Sequence, residues 1–230
     1  MRFGPVPLAQ AEGAILAHSV ALPDGRLRKG CTLRPPDLAR LHAAGLTTVT
    51  VARLDPGDLP EDTAAERLAA ALVPDPTSAG LAPSQAFTGR VNLNAVHPGI
   101  LSLDTTAIHA LNRVHPAITL ATLPPLARVA PGQLAGTVKI IAYAVPKAAL
   151  DKACQFAQAA IRVLPVRHHT ASLILTEVPD LDPKLAAKGR RAVEARLRAL
   201  GITLADCATV PHQTVHLVAA GPRPDRHSGE

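Results

Sequence analysis

The hydrophobic pattern near the end of the chain predicts a strand, a helix, a second strand and the start of a second helix. Ala171–Thr176 is a short, largely apolar run of strand length, and Ile202–Val210 is a second strand candidate. Between them, Pro183–Leu200 is amphipathic. Its apolar stripe consists of Leu185, Ala192, Val193, Leu197 and Leu200. Because a parallel strand–helix–strand unit needs a sheet covered on both faces, we expect the first part of an open parallel-sheet domain.

Earlier in the chain, helical and strand patterns alternate and predict a small N-terminal α/β module. Helical spacing of apolar positions predicts a helix between Leu8 and Leu16. The turn signal Pro23-Asp24-Gly25, with short strand candidates on either side, predicts a hairpin. Further predicted elements are a helix that begins at Pro35 and is capped by Gly45, a strand at Thr47–Val51 and a helix at Glu61–Leu72.

A run of proline, serine and glycine breakers predicts a linker at Pro74–Pro83. The segment after it mixes strand patterns, the clearest at Thr137–Val145, with a helix that follows the N-cap residue Asp104. The predicted organisation is an N-terminal α/β module (1–75), a mixed α+β segment (84–161), a partial α/β domain (162–220) and a disordered tail (221–230).

Composition narrows the classes of function. Among 230 residues, 47% are hydrophobic and 18% charged, which is typical of a globular protein. Aromatic residues make up only 2%, so the core must be aliphatic and the chain lacks a stacking platform for single-stranded nucleic acid. The formal net charge of +6 allows an anionic partner, but the basic residues are scattered except in Lys184–Arg198. We therefore predict no nucleic-acid partner and keep an anionic small molecule open.

Cysteine and histidine spacing predicts no metal site. Cys31, Cys154 and Cys207 lie far apart and suit neither a zinc site nor a disulfide framework. His212 and His216 have a spacing that suits a metal on a helix, but no third ligand accompanies them. With no signal-peptide pattern and no membrane-spanning run, we expect a cytoplasmic protein with reduced thiols and no membrane partner.

Short stretches spread along the chain share their order with those of a known bacterial family. They are Gly13–His18, Arg28–Gly30, Asp37-Leu38, Leu41–Val51, Phe87–Leu93, Asn112–Val114, Ala117–Leu123, Thr137–Ile141, Leu175–Glu177, Lys188–Arg190, Arg196-Leu197 and Pro211-His212. Over roughly residues 1–218 they resemble the bacterial molybdopterin-binding proteins of molybdenum cofactor biosynthesis. No single stretch is a strong motif, so their order and joint presence carry the resemblance.

This resemblance implies that the end of the chain is the start of the molybdopterin-binding α/β domain shared with molybdenum insertases. In that family the domain continues to a Gly-rich loop followed by an Asp, which cradles the phosphate and dithiolene end of the pterin. No such loop follows Pro211-His212, and we therefore expect a C-terminally truncated domain. The implied function is to bind or carry molybdopterin or the molybdenum cofactor, with a molybdoenzyme or maturation factor as protein partner.

Two other functions stay open beside the carrier. An enzyme of the insertase or adenylyltransferase type would need the missing loop, and no nucleophile–base pair, GxSxG or P-loop supports catalysis. The sequence therefore favours a binding protein over a catalyst. The second open function is that of a structural or interaction module, or of a truncated product whose α/β domain is completed by a partner chain. A homo-oligomer also stays open.

The residues predicted to bind the cofactor lie at the end of the first strand of the partial domain and on its helix. They are Thr176, Glu177, Lys184, Lys188 and Arg191. A threonine hydroxyl and backbone N–H groups at a strand's carboxyl end could hold a phosphate or pterin oxygen. Lys188 and Arg191 share a helix face that could attract an anion. The alternatives are a strand-end threonine that begins a turn and a solvated basic face.

Two further stretches carry a weaker prediction of ligand contact. Arg26, Arg28 and Lys29 flank the first turn and could form an anion site, although an exposed hairpin explains them equally. Phe87-Thr88-Gly89-Arg90 could approach a ligand because Gly89 permits close backbone contact, although a tight turn would also explain it.

Overall fold

The fold is mixed α/β and divides into two units. A computed structural model describes residues 1–178 and 183–221 of the chain. The units are Met1–Leu164 and Pro165–Glu230. Both helices and strands are present, as expected, although the strand pairing is mostly antiparallel. Apart from Gly221, the tail expected at 221–230 lies outside the described residues.

The first part of Met1–Leu164 is built on a small aliphatic core that includes Leu16, Leu33 and Leu41. Its elements are β1 (Arg2–Pro7), a short 3₁₀-helix (Leu8–Gln10), β2 (Ile15–Leu16), β3 (Val20–Leu22), β4 (Gly25–Leu27), α1 (Pro35–Ala43) and β5 (Thr48–Arg53). β5 lies between β1 and β2 and is antiparallel to both. β3 and β4 form the predicted hairpin.

The helix predicted between Leu8 and Leu16 is wrong. Leu8 lies in the 3₁₀-helix, whereas Leu16 lies in β2 opposite Val51. Gly13 separates them with φ +72°, a left-handed conformation that a continuous right-handed helix cannot contain. Leu8 and Leu16 are both buried in this core, so apolar positions that suggested one helix reach the same core from separate short elements.

A second, larger aliphatic core organises the rest of this unit. Its elements are β6 (Asp58–Pro60), α2 (Glu61–Leu72), α3 (Pro76–Ala79), β7 (Leu81–Pro83), β8 (Arg90–Ala95), β9 (Gly99–Leu103), α4 (Thr105–Asn112), β10 (Ile118–Thr122), β11 (Arg128–Val129), β12 (Leu134–Ile140), β13 (Ala144–Pro146), α5 (Lys147–Ala157) and β14 (Ile161–Pro165). One antiparallel sheet has the order β10-β12-β8-β7. α2 packs on β8 and β12 and against α5, so its buried side covers the sheet.

The segment expected to be a linker contributes to this core instead. Asp75 is the N-cap of α3, and its carboxylate accepts hydrogen bonds from the backbone N–H groups of Thr77 and Ser78 at 3.0 and 3.2 Å. Leu81 is fully buried in β7, which pairs with β8. Of the breakers that suggested a linker, Pro76 is the first residue of α3 and Gly80 is its left-handed C-cap.

Pro165–Glu230 contains the strand–helix–strand unit and the start of the second helix that the sequence predicts. Its described elements are β15 (Thr170–Glu177), α6 (Pro183–Arg198), β16 (Thr203–Pro211) and α7 (Thr214–Ala220). β15 and β16 pair in parallel. No described residue beyond Val163 is fully buried. None of the described helices is both long and apolar enough to cross a membrane.

Candidate functional site

An open cavity of about 910 Å³ lies within Met1–Leu164. One wall comes from the β3–β4 hairpin and the turn that follows it, and the other from α2, the turn before β8 and the chain from β12 to β13. Its size is in the range of small-molecule sites, about 300–1,000 Å³. The charged lining residues are Arg26, Arg28, Lys29, Glu61 and Lys139.

The hairpin wall supplies cations. Arg26 lies in β4 opposite Ala21, and Arg28 and Lys29 follow directly after the strand. The Lys29 backbone N–H donates to Ser19 Oγ at 3.0 Å, which ties this turn to the segment before β3. All three cationic side chains are exposed, and within the described residues none of them forms an ion pair. They are therefore available to an anion in the cavity.

A tight turn forms part of the opposite wall. Phe87 and Arg90 exchange backbone hydrogen bonds of 3.0 and 3.1 Å across Thr88 and Gly89. Thr88 has φ +49° and Gly89 φ +70°, so a non-glycine residue holds a left-handed conformation at the cavity. The Gly89 N–H donates to Asp62 Oδ1 at 2.6 Å, which fixes the turn to α2. Such conformations are often found at ligand sites.

The same turn is joined to β12 beside the cavity. Lys139 Nζ donates a hydrogen bond to the Thr88 carbonyl, and the Ile140 N–H donates to the Gly89 carbonyl at 2.7 Å. Lys139 is half-buried and adds a second source of positive charge on the wall opposite the hairpin.

Glu61, the first residue of α2, places a carboxyl group among these cations. Its backbone N–H donates to the Tyr143 carbonyl at 3.0 Å, so the start of α2 is held against the chain before β13. Burial raises the pKa of the Glu61 carboxyl, Asp62 adds to the rise, and Lys139 and Lys29 oppose it. No group among the described residues donates a hydrogen bond to this carboxylate.

Tyr143 completes the site. Its hydroxyl donates to the Ala17 carbonyl at 2.7 Å, and its ring stacks on Phe3 with centroids 6.5 Å apart. Burial raises the pKa of the Tyr143 hydroxyl, with a smaller contribution from Glu61. The hydroxyl therefore stays protonated at neutral pH, and the ring is held at a fixed position in the cavity wall.

The cavity offers three kinds of group to a ligand. It combines cations on two walls, a half-buried carboxyl group and the aromatic rings of Phe87 and Tyr143. Cations hold a phosphate, rings stack on a planar heterocycle, and a carboxylate accepts N–H donors. Within the described residues, no three His, Cys, Asp or Glu side chains converge in a way that could hold a metal ion.

The residues predicted to bind the cofactor lie in the second unit. Thr176 and Glu177 are at the carboxyl end of β15, and Lys184, Lys188 and Arg191 lie on α6. These three side chains and Glu177 are exposed, whereas Thr176 is half-buried. Of the two stretches with a weaker prediction, in contrast, Arg26, Arg28 and Lys29 line the cavity in the first unit, together with Phe87 and Thr88.

Sequence reasoning missed a contact at the end of β15. His212 Nδ1 lies 2.9 Å from Thr176 Oγ1, and the His212 backbone N–H donates to the Glu177 carbonyl at 2.9 Å. The parallel register places Glu177 opposite Pro211, so His212 follows at the same sheet edge. The parallel pairing predicted for these strands is the signal that could have placed them together.

The sequence does not predict three of the cavity residues as site residues, namely Glu61, Lys139 and Tyr143. Glu61 is explained locally as an acidic residue in a helix's first turn, and Lys139 and Tyr143 lie in a stretch with a plain strand pattern. Only their shared position in the cavity connects them with the hairpin cations.

Comparison with known proteins gives one family match. A family model described as a domain of unknown function (DUF8806) matches residues 5–53. This match runs from within β1 to the end of β5 and includes Arg26, Arg28 and Lys29. No curated protein and no solved structure matches the chain.

Proposed function

We propose that the protein binds molybdopterin or the molybdenum cofactor and acts as a carrier in molybdenum cofactor biosynthesis. The cavity in Met1–Leu164 is the observation that carries this proposal, because it offers cations, a carboxyl group and aromatic rings to one ligand. A pterin phosphate has the matching parts, namely an anionic group and a planar heterocycle with N–H donors. The proposal has a second support in the order of the short sequence stretches that resemble the molybdopterin-binding family.

Within this proposal, Arg26, Arg28 and Lys29 hold the phosphate from the hairpin side and Lys139 from the strand side. A hydrogen bond to a charged group contributes about 1.5–3 kcal/mol. Because the cavity is open to solvent and the cations are exposed, the affinity should fall with salt. A cytoplasmic location belongs to the proposal, since Cys31, Cys154 and Cys207 are free thiols.

The second unit supplies a competing location for the same ligand. Thr176 and Lys188 would hold it at the carboxyl end of β15, where open parallel sheets bind ligands. The expected open parallel-sheet domain belongs to this part of the proposal, because β15 and β16 pair in the required direction. Charge-reversal variants at each location distinguish the two possibilities.

The test is a titration of the chain into molybdopterin, followed through polarisation of the pterin's own fluorescence. Arg28→Glu/Lys29→Glu should weaken binding about tenfold or more, because it reverses charge at the phosphate. Lys188→Glu/Arg191→Glu, an equal charge change on exposed residues of α6, is the matched control and should bind like the wild type. Circular dichroism checks that each variant is folded.

Each other outcome has a defined meaning. Loss of binding in the α6 variant alone would move the site to Thr176 and Lys188 and leave the carrier function standing. Absence of saturable binding by the folded wild-type chain would overturn the carrier function.

An interaction module is the second candidate, favoured by the exposure of apolar residues in the second unit. Val215 is 67% and Val218 75% exposed on α7. Exposed apolar residues of this kind promote association. Light scattering tests this candidate, and a clean monomer at micromolar concentration would count against it.

A further inference from the structure

Glu61 is unusual because a carboxylate weakens a site built only for an anion. Its side chain lines the same cavity as Lys29 and Lys139. A site for phosphate alone would gain affinity from a neutral residue here, since like charges repel. The carboxylate therefore suggests that the ligand carries a second group, one that donates hydrogen bonds.

The local backbone makes room for this carboxylate. A Cβ atom on Gly89 would stand 2.6 Å from the Ile140 carbonyl oxygen and 2.8 Å from Glu61 Oε2, so the backbone contact requires glycine here and the glycine leaves Glu61 free of a close neighbour. The Glu61 backbone is held by its hydrogen bond to the Tyr143 carbonyl. The start of α2 is thus fixed beside the cavity, and no described residue donates a hydrogen bond to the carboxylate.

Aromatic residues border the same space. Phe87 is 77% exposed at the cavity, which leaves most of its apolar ring in contact with solvent. Covering such a ring with a planar heterocycle removes apolar surface from water and adds stacking. Phe87 and Glu61 line the same cavity, so one ligand can contact both.

Resting on the proposed function, we infer that Glu61 recognises the ring of the ligand by accepting two parallel N–H donors from its amidine-like edge. In a pterin these donors are the 2-amino group and N3–H. A carboxylate accepts such a pair in a bidentate manner, as it does from arginine. The cations then hold the phosphate, and Glu61 selects pterins over planar phosphates that lack the donor pair.

A simpler role for Glu61 predicts the opposite result. If Glu61 only offset the charge of Lys29 and Lys139, Glu61→Gln would raise the local positive charge and strengthen binding of every anionic ligand alike. If Glu61 accepts the donor pair, Glu61→Gln weakens the pterin selectively, because an amide offers one acceptor and one donor.

The experiment compares 6-hydroxymethylpterin phosphate with 6-hydroxymethyllumazine phosphate, which carries an oxygen in place of the 2-amino group. Their affinities for the full chain are measured by fluorescence polarisation. The wild type should prefer the pterin about tenfold or more, as expected for a bidentate pair. Glu61→Gln should remove this preference, and Glu66→Gln, an exposed position on the same helix, should retain it.

Folding is checked in parallel by thermal unfolding at neutral pH. Because burial raises the pKa of Glu61, ionisation of its carboxyl costs stability as the pH rises through that pKa. Glu61→Gln should therefore be at least as stable as the wild type, and lost preference cannot be attributed to unfolding.

The outcomes separate this inference from the proposed function. Equal affinity of the wild type for both ligands would overturn the role of Glu61 and leave phosphate binding intact. Stronger binding of both ligands by Glu61→Gln would assign it the charge-offset role. Failure of the folded wild type to bind either ligand or molybdopterin would overturn the proposed function itself.

Discussion

Individual residues of the cavity wall combine strain with close packing. The φ angles of Thr88 and Gly89 are both positive, as in a type I′ turn, for which Asn-Gly is the preferred sequence. Threonine is poorly suited to this conformation because it is β-branched. Lys139 donates to the Thr88 carbonyl and Asp62 accepts from the Gly89 N–H, so neighbouring groups hold the turn.

Gly89→Ala tests how tightly this turn is packed. The new Cβ would stand 2.6 Å from the Ile140 carbonyl oxygen, and the position also has φ +70°. Gly132→Ala is the control, because Gly132 has φ +78° and nothing lies within 4 Å of its Cβ position. Both variants should lose about 1–2 kcal/mol from left-handed strain. Gly89→Ala should lose about 1–3 kcal/mol more from overpacking.

Urea unfolding of the two glycine variants gives the comparison. Equal losses of unfolding free energy would contradict the close approach between Gly89 and the Ile140 carbonyl. A larger loss for Gly89→Ala would support the view that the close approach to the Ile140 carbonyl requires glycine.

At the scale of single elements, capping and periodicity predict most helices well. α2 spans the predicted Glu61–Leu72, and α1 begins at Pro35 as predicted. These signals are reliable because they depend on residues within one or two turns. The strand predicted at Thr137–Val145 divides into β12 and β13. Ile141, which lies between the two strands, is 63% exposed. The division follows from pairing, because β12 joins β8 and β10 whereas β13 joins β6.

The N-cap of α4 gives a prediction at this scale. Asp104 accepts a hydrogen bond from the Ala107 N–H at 2.9 Å, and α4 buries Ile108 and Leu111. Asp104→Ala should lower the free energy of unfolding by about 1 kcal/mol, because the cap is lost. Asp104→Asn keeps a capping acceptor and should lose much less. If both variants lost the same amount in a denaturant titration, the side-chain cap would not be the cause.

On the scale of the whole molecule, the buried core of the described residues lies in the first unit. The buried hydrophobic residues of the described chain run from Leu8 to Val163. In the second unit, β15 and β16 carry half-buried and exposed apolar residues instead. Elements with little burial open locally more easily than core strands. The two units should therefore differ in local stability.

Amide hydrogen exchange measures this difference. The amides of β15 and β16 should exchange faster than those of β8 and β12, because fewer buried contacts oppose their opening. All four strands are measured in one sample, so their exchange rates need correction only for the intrinsic rate that the local sequence of each amide sets. Equal protection of all four strands would contradict the expected difference and would indicate that the second unit is covered by association.

Local chemistry along the chain was enough to predict the strand–helix–strand–helix order of the second unit, the hairpin and the helices α1, α2 and α4. Their signals are apolar spacing, capping residues and turn residues, which act over a few positions. The mostly antiparallel pairing and the place of Leu81 in a sheet depend on contacts between distant segments. The cavity depends on them most, because Arg28, Glu61 and Lys139 become neighbours only when separate elements pack. Contacts between distant segments produce no repeating pattern in the sequence. These charges therefore come together at one site only when the chain folds.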